Sequence, residues 1–224
     1  MPQRPDELNS VCRLMAKVSL RSYRQDEVAG FLKTRERFGG LSNMAAGYLI
    51  KVNDLQFDSS EALYQACRFP DDPDLQAALA GLTSPLEAKR IAHRNLDRSR
   101  GDWKLVNIEL MRWTLRLKRC QNAERIDALL AQTGEMPIVE ISFKDAFWGA
   151  RPKSDGTVEG CNVLGRLWME LRQGWLVQDP RIVGSIEPAA IPNFMIAGAA
   201  VPVISAVGRQ EPRQTSLFDL SEPS

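Results

Sequence analysis

The sequence predicts an α+β domain that is predominantly α-helical, with a small β-sheet. Apolar residues recur at helical spacing in several long windows, helix-opening caps precede them, and only short stretches carry the β-branched runs of strands. Residues 1–30 read as a polar N-terminal extension with one apolar patch at helical spacing: Val11, Leu14, Met15 and Val18. The domain is expected over residues 31–173. A hairpin fits Gly47 to Phe57. Asp58-Ser59-Ser60-Glu61 reads as a capping box opening a helix that runs to Phe69 and stops at Pro70. Ser84-Pro85-Leu86-Glu87 is a second box, with proline at the first helical position, where its missing N–H costs nothing. Trp103, Val106, Leu110, Trp113 and Leu117 make one stripe of a long amphipathic helix. Asn122 is placed to cap the next helix, which Thr133-Gly134 ends. Pro137 to Ser142 reads as a short strand, and Asn162 as the cap of a last helix bearing Leu164, Leu167, Trp168 and Leu171. Beyond about Gly174 the composition turns to Ala, Pro, Ile and Val and then polar, so 174–224 is expected to be a C-terminal extension with a partly disordered tail.

Composition narrows the function classes. A formal net charge of +1 over 224 residues gives no global basic field for nucleic acid, while leaving local patches open. Cys12, Cys67, Cys120 and Cys161 lie far apart, and His93 is the only histidine, so a zinc site is not expected. Scattered free thiols and the absence of a secretory leader pattern point to a cytoplasmic protein. The longest apolar stretch, Phe194 to Gly208, is broken by Pro202 and falls short of the roughly 20 residues that span a bilayer, so no membrane helix is expected.

Seven short motifs follow in order. They are Phe38-Gly-Gly-Leu-Ser42-Asn43, Ser59-Ser60-Glu61-Ala-Leu-Tyr64-Gln65, Ala88-Lys89, Asp102-Trp103, Lys118 with Gln121-Asn122, Asp145-Ala-Phe-Trp148-Gly149 and Gly160-Cys-Asn162-Val-Leu-Gly165. Together they resemble the NADAR (YbiA-like) superfamily over roughly residues 31–172. The resemblance implies a YbiA-like single domain and N-glycosidase chemistry without a metal or other cofactor.

Each site candidate has a structural alternative. Glu61 occupies the third helical position of its expected box and can serve as a cap; the resemblance makes it the catalytic glutamate. Gln65 follows at i+4 on the same helix face, and a carboxylate beside an amide suits ribose hydroxyls or a base edge. Asp145, just after the expected strand, fits an Asx-turn or a carboxylate that stabilises an oxocarbenium-like centre or activates water. Lys89 is by default a solvated helix lysine. The helix dipole and Arg90 both disfavour its charge, and the resemblance makes it a site residue, either a nucleophile or a phosphate clamp. Trp103 begins the apolar stripe and reads as core, whereas the resemblance places it in the site, stacking on a base. The resemblance likewise places Ser60, Trp148, Gly149 and Asn162 in the substrate site. Gly39-Gly40 forms a turn whose N–H groups, with Ser42, Asn43, Phe38 and Arg35 nearby, suit phosphate binding.

The chain departs from the riboflavin-pathway branch of the family. Ala62-Leu63 stands where a histidine is common, and Ile91-Ala92-His93-Arg94 replaces a Gly-Arg pair. Ser59-Ser-Glu-Ala-Leu-Tyr-Gln-Ala-Cys-Arg-Phe-Pro70, Ser84-Pro-Leu-Glu-Ala-Lys89 and Met111-Arg-Trp113 instead resemble the branch paired with DarT-type toxins, implying a hydrolase that removes ADP-ribose from guanine in DNA. A ribosylaminopyrimidine N-glycosidase and a non-catalytic NAD or ADP-ribose binding module are the alternatives. In the tail, Gln214-Thr-Ser-Leu217-Phe218 fits a short pattern by which bacterial replication and repair proteins engage the sliding clamp.

Overall fold

The computed structural model describes residues 19–205. The apolar patch at Val11 to Val18 and the clamp-type motif at Gln214, Leu217 and Phe218 lie outside the described residues. Seven α-helices and four small sheets are present among those described.

Residues 21–24 and 29–30, read from sequence as part of an extension, are paired into the sheets. Strand β1 (Arg21–Arg24) lies antiparallel to β7 (Thr157–Gly160), which also pairs with β6 (Arg151–Pro152). Strand β2 (Ala29–Phe31) runs parallel to β5 (Ile138–Glu140). This pairing fixes the end of β5, where Glu140 sits. The expected hairpin is formed by β3 (Ile50–Val52) and β4 (Leu55–Phe57), with Asn53 in the left-handed region its turn requires.

Helices α1 (Ser60–Ala66), α2 (Pro73–Ala80) and α3 (Pro85–Arg94) follow. The cap of α1 is Ser59, one residue later than the sequence suggests; its hydroxyl accepts from the Ala62 amide. Glu61 is therefore in the first turn and performs no capping. Ser84 caps α3 as its box predicts, accepting from the Glu87 amide, with Pro85 at the first position.

The long helix α4 (Trp103–Gln121) forms the spine of the core, burying Val106, Leu110, Trp113 and Leu117. Its last turn holds the surrounding segments in place. Lys118 is fully buried and donates from Nζ to the carbonyls of Gly40 (2.7 Å) and Ser42 (2.9 Å). Burial, then Arg125, pushes this ammonium down to about 7. Gln121 bonds both backbone groups of Lys51, and Asn122 donates to Leu49 O. That Lys-Gln-Asn motif therefore positions backbone. Helix α5 (Ala123–Thr133) starts after Asn122 without side-chain capping and stops at Gly134, whose φ is +51°. Helix α6 (Val163–Leu176) lies across β5, and Trp168 in its middle donates to Leu41 O at 2.8 Å.

The chain continues through α7 (Pro180–Val183) and a small hairpin of β8 (Met195–Ile196) and β9 (Ala199–Ala200). Ile186, Phe194, Ile196 and Val201 of this segment are buried in the main core. No helix among the described residues is long and apolar enough to cross a membrane.

Candidate active site

A cleft of about 330 Å³ opens where α1, α3, α4 and the β5–β6 connection meet. Each helix turns a stripe of residues toward it at helical spacing. From α1 and the turn after it come Glu61, Tyr64, Gln65 and Arg68; from α3, Lys89 and His93; from α4, Trp103, Asn107 and Met111. Glu140, Ser142, Asp145 and Trp148 close the fourth side, and Asn43 lies on the floor.

Glu61 is buried, and its Oε1 accepts from Gln65 Nε2 at 2.9 Å, realising the i, i+4 pair read from sequence. Its backbone is fixed by the Glu61 amide donating to Asn43 O at 3.1 Å. Asp145 does form an Asx-type turn. Its Oδ1 accepts from the Phe147 and Trp148 amides at 2.8 and 2.9 Å. Oδ2 makes no hydrogen bond among the described residues and is left to the cleft.

Glu140, which sequence reasoning did not single out, is the third carboxylate. It is half-buried at the end of β5, and its carboxyl is pushed up to about 7. Burial is the first cause, and the charges of Asp145 and Glu61 add to it, with Lys89 opposing. A glutamate in the otherwise apolar run Ile138-Val-Glu-Ile141 was the available signal.

One wall is aromatic. Tyr64 lies 5.0 Å from Trp103 and 5.8 Å from Trp148 between ring centroids, and the Arg68 guanidinium stands 4.0 Å above the Trp103 ring. Burial lowers Arg68 from its usual value, and burial with the Glu61 charge pushes the Tyr64 phenol well above its own. Asn43 Oδ1, Gln65 Oε1 and Arg68 Nε are buried without a hydrogen-bond partner. These two acceptors and one donor match the alternating polarity of a ribose or a base edge, since buried polar groups left unpaired are costly.

The structure thus brings together Glu61, Asp145, Lys89, Asn43, Gln65, Trp103 and Trp148. It adds Glu140, Tyr64, Arg68, His93, Asn107 and Met111. Six other expected residues do not line the cleft. Arg35 is exposed, and Phe38 is a core residue 4.9 Å beneath Arg37. The expected phosphate turn is closed, because the amides of Gly39, Leu41 and Ser42 donate to Glu36, Phe38 and Gly39 carbonyls. Ser42 Oγ accepts from the Met44 amide, and Ser60 Oγ donates to Asn43 O at 3.4 Å. Gly149 is buried against β5, where an added Cβ would stand 2.6 Å from Glu140 O. Asn162 occupies the N-cap position of α6 in left-handed conformation but caps nothing. Its side chain is fully buried, accepting from the Glu140 amide (3.2 Å) and donating to Ile138 O (2.8 Å). Gly149 and Asn162 therefore lie against the backbone of β5 at Glu140 and not in the cleft.

Residues 30–175 match the NADAR domain family. N-glycosidase YbiA of Escherichia coli is 36% identical over 149 residues, covering 66% of this chain and 89% of that protein. A riboflavin biosynthesis protein of Vibrio vulnificus is 33% identical over 175 residues, 78% of this chain and 46% of that protein. The solution structure of Escherichia coli YbiA superposes with a TM-score of 0.58 at 33% identity, covering 70% of this chain and 89% of that one.

Proposed function

This chain belongs to the NADAR family, and from that premise we propose that it is an N-glycosidase that hydrolyses the bond between ADP-ribose and guanine in DNA. The observation that carries N-glycoside hydrolysis is the set of three carboxylates, Glu61, Glu140 and Asp145, gathered in a cleft walled by Trp103, Tyr64 and Trp148. Relatives bearing the name N-glycosidase support the same chemistry.

Heterolysis of a C1′–N bond leaves a cationic, oxocarbenium-like ribose and an electron pair on the departing base. Carboxylates fixed beside the sugar stabilise that cation before it forms, which is the cheapest place to apply electrostatics. Glu61, oriented by Gln65, and the free Oδ2 of Asp145 suit this role. One of the two takes the proton of the water that attacks C1′. Glu140 holds a proton near neutrality and can pass it to the leaving base. Lys89 is exposed at the mouth, where an ammonium attracts substrate phosphate. That geometry favours an electrostatic role over a nucleophilic one.

The finer choice of substrate rests on the departures at Ala62-Leu63 and Ile91-Arg94 and on the likeness to the DarT-associated branch. A toxin of the DarT type would be the genetic counterpart. The second reading, a ribosylaminopyrimidine substrate, is favoured by the riboflavin-related name of the Vibrio vulnificus relative.

The test is an oligonucleotide carrying ADP-ribose on guanine, followed by mass spectrometry. Wild-type protein should release ADP-ribose and restore guanine, and Glu61→Gln should lose at least about two orders of magnitude in rate, the scale of an acid–base group. An untouched adduct beside turnover of a ribosylaminopyrimidine would transfer the assignment to the second reading.

A further inference from the structure

The rim of the cleft carries residues that hydrolysis itself leaves unused. Phe143 is 69% accessible, the most exposed large hydrophobic side chain among the described residues, and it sits between two cleft residues, Ser142 and Asp145. Its loop is pinned. The Asp145 amide donates to Ser142 Oγ at 3.0 Å, Asp145 Oδ1 takes two amides, and Arg151 Nη2 donates to Lys144 O at 2.7 Å. A fixed loop that holds an apolar ring in water forgoes the burial that would stabilise it. Such a ring is accounted for by a flat partner that covers it.

The remainder of the rim is cationic. On α3, Leu86, Lys89, Arg90 and His93 recur at i, i+3, i+4 and i+7, so they share one face. All four are exposed, Leu86 at 48%, and Lys89 and His93 border the cleft. Arg90 makes only a long, solvent-exposed contact of 3.5 Å with Glu87. Lys144 stands exposed beside Phe143. In a chain of net charge +1 these cations are a local feature, set around a cleft that holds three carboxylates. The carboxylates repel phosphates, and the rim attracts them.

We propose that this rim docks a single-stranded nucleic acid whose modified base enters the cleft, with Phe143 stacking on a neighbouring base and Lys144 and Arg90 taking flanking phosphates. An exposed aromatic among cations is the combination that single strands use, because every base has a face to stack. The inference rests on the DNA reading above and extends it from the reacting nucleotide to the strand on either side.

Two measurements on the full chain decide it. The first is fluorescence anisotropy with a short, unmodified, fluorescein-labelled single-stranded DNA. Wild type should bind, Phe143→Ala should weaken binding about tenfold, the scale of one base–aromatic stack, and Arg90→Ala with Lys144→Ala should flatten the salt dependence by about one phosphate each. The second compares turnover of ADP-ribosyl-guanine in an oligonucleotide with turnover of the same adduct as a free nucleoside. Phe143→Ala should lower kcat/KM about tenfold on the oligonucleotide and leave the nucleoside rate unchanged. Unaltered DNA binding, or equal losses on both substrates, overturns the proposal. Absence of DNA binding by wild type overturns it in favour of a protein partner at this rim. If neither adduct is hydrolysed, the DNA-hydrolase reading fails, and anisotropy still decides what the rim binds.

Discussion

At Glu140 three influences act on one carboxyl group, and all but one favour the neutral form. Burial removes hydration, Asp145 and Glu61 add negative charge, and Lys89 alone opposes them. Tyr64, Arg68 and His93 complete the titratable or charged groups around the cleft. With its carboxyl held up to about 7, Glu140 is protonated in the substrate-free cleft at pH 6 and mostly ionised at pH 8. The rate of C–N cleavage should therefore fall as pH rises through about 7. In Glu140→Gln, which cannot give up a proton, that alkaline limb should vanish and the rate below pH 7 should drop by about two orders of magnitude. The sign for stability follows from linkage. A carboxyl whose folded value lies above its unfolded one binds protons more tightly in the native state, so its contribution declines as pH rises from 4.5 to about 7. Melting temperatures of wild type and Glu140→Gln should thus diverge across that window, in the variant's favour. An unchanged alkaline limb in Glu140→Gln would assign the proton to another group.

Glu140 holds its place because two elements lock end to end. Helix α6 begins at Asn162, whose left-handed backbone (φ 48°) turns its amide back onto both sides of Val139 in β5. Gly165 permits the contact, since a Cβ there would collide with Ile138 O. Replacing Asn162 by alanine leaves the Ile138 carbonyl and the Glu140 amide without this partner and imposes strain on a non-glycine left-handed residue. Asn162→Gly leaves the same groups unpaired but tolerates the backbone. Thermal unfolding should show a loss of about 2–4 kcal/mol for alanine and a smaller one for glycine, with kcat falling in both. Equal melting temperatures for the two variants would remove the backbone from the explanation. The same lock marks the limit of what the sequence discloses. Helices α3 and α4 were readable because proline, serine and a 3.6-residue stripe act locally, and Glu61 with Gln65 was readable because both sit on one helix. Glu140 was not, and Asn162 was read only as a helix cap and substrate-site residue, because their places depend on a strand paired with β2 and a helix laid across it. Arg68 lies just past the end of α1 and continues its stripe, so that residue was within reach of the pattern.

At the scale of the whole molecule, the segment after α7 completes a core that the NADAR domain match leaves open at residue 175. Phe194 packs edge-on against Trp113 of α4, with ring centroids 4.8 Å apart, and is 8% exposed. Around it the polar groups are tied to earlier elements. Gln76 donates to Met195 O and accepts from the Ala197 amide, and Asn53 donates to Ile196 O. Arg100 donates to the carbonyls of Pro192 and Asn193 while holding Asp102, the residue before Trp103, through two bonds of 2.6 and 3.0 Å. The segment thus braces the start of the helix that carries Trp103, one of the cleft's two indoles. Phe194→Ala leaves a cavity against Trp113, a change that costs about 3–5 kcal/mol in well-packed cores. At about 2–4 °C per kcal/mol for a chain of this size, the melting temperature should fall by roughly 6–20 °C. Arg100 keeps its partners in that variant, so kcat measured well below the transition should stay within about twofold of wild type. Arg100→Ala should do the reverse: a smaller thermal loss, and a raised KM as Trp103 loses its anchor. A Phe194→Ala protein that melts with wild type would mean that the segment rests on the core without supporting it.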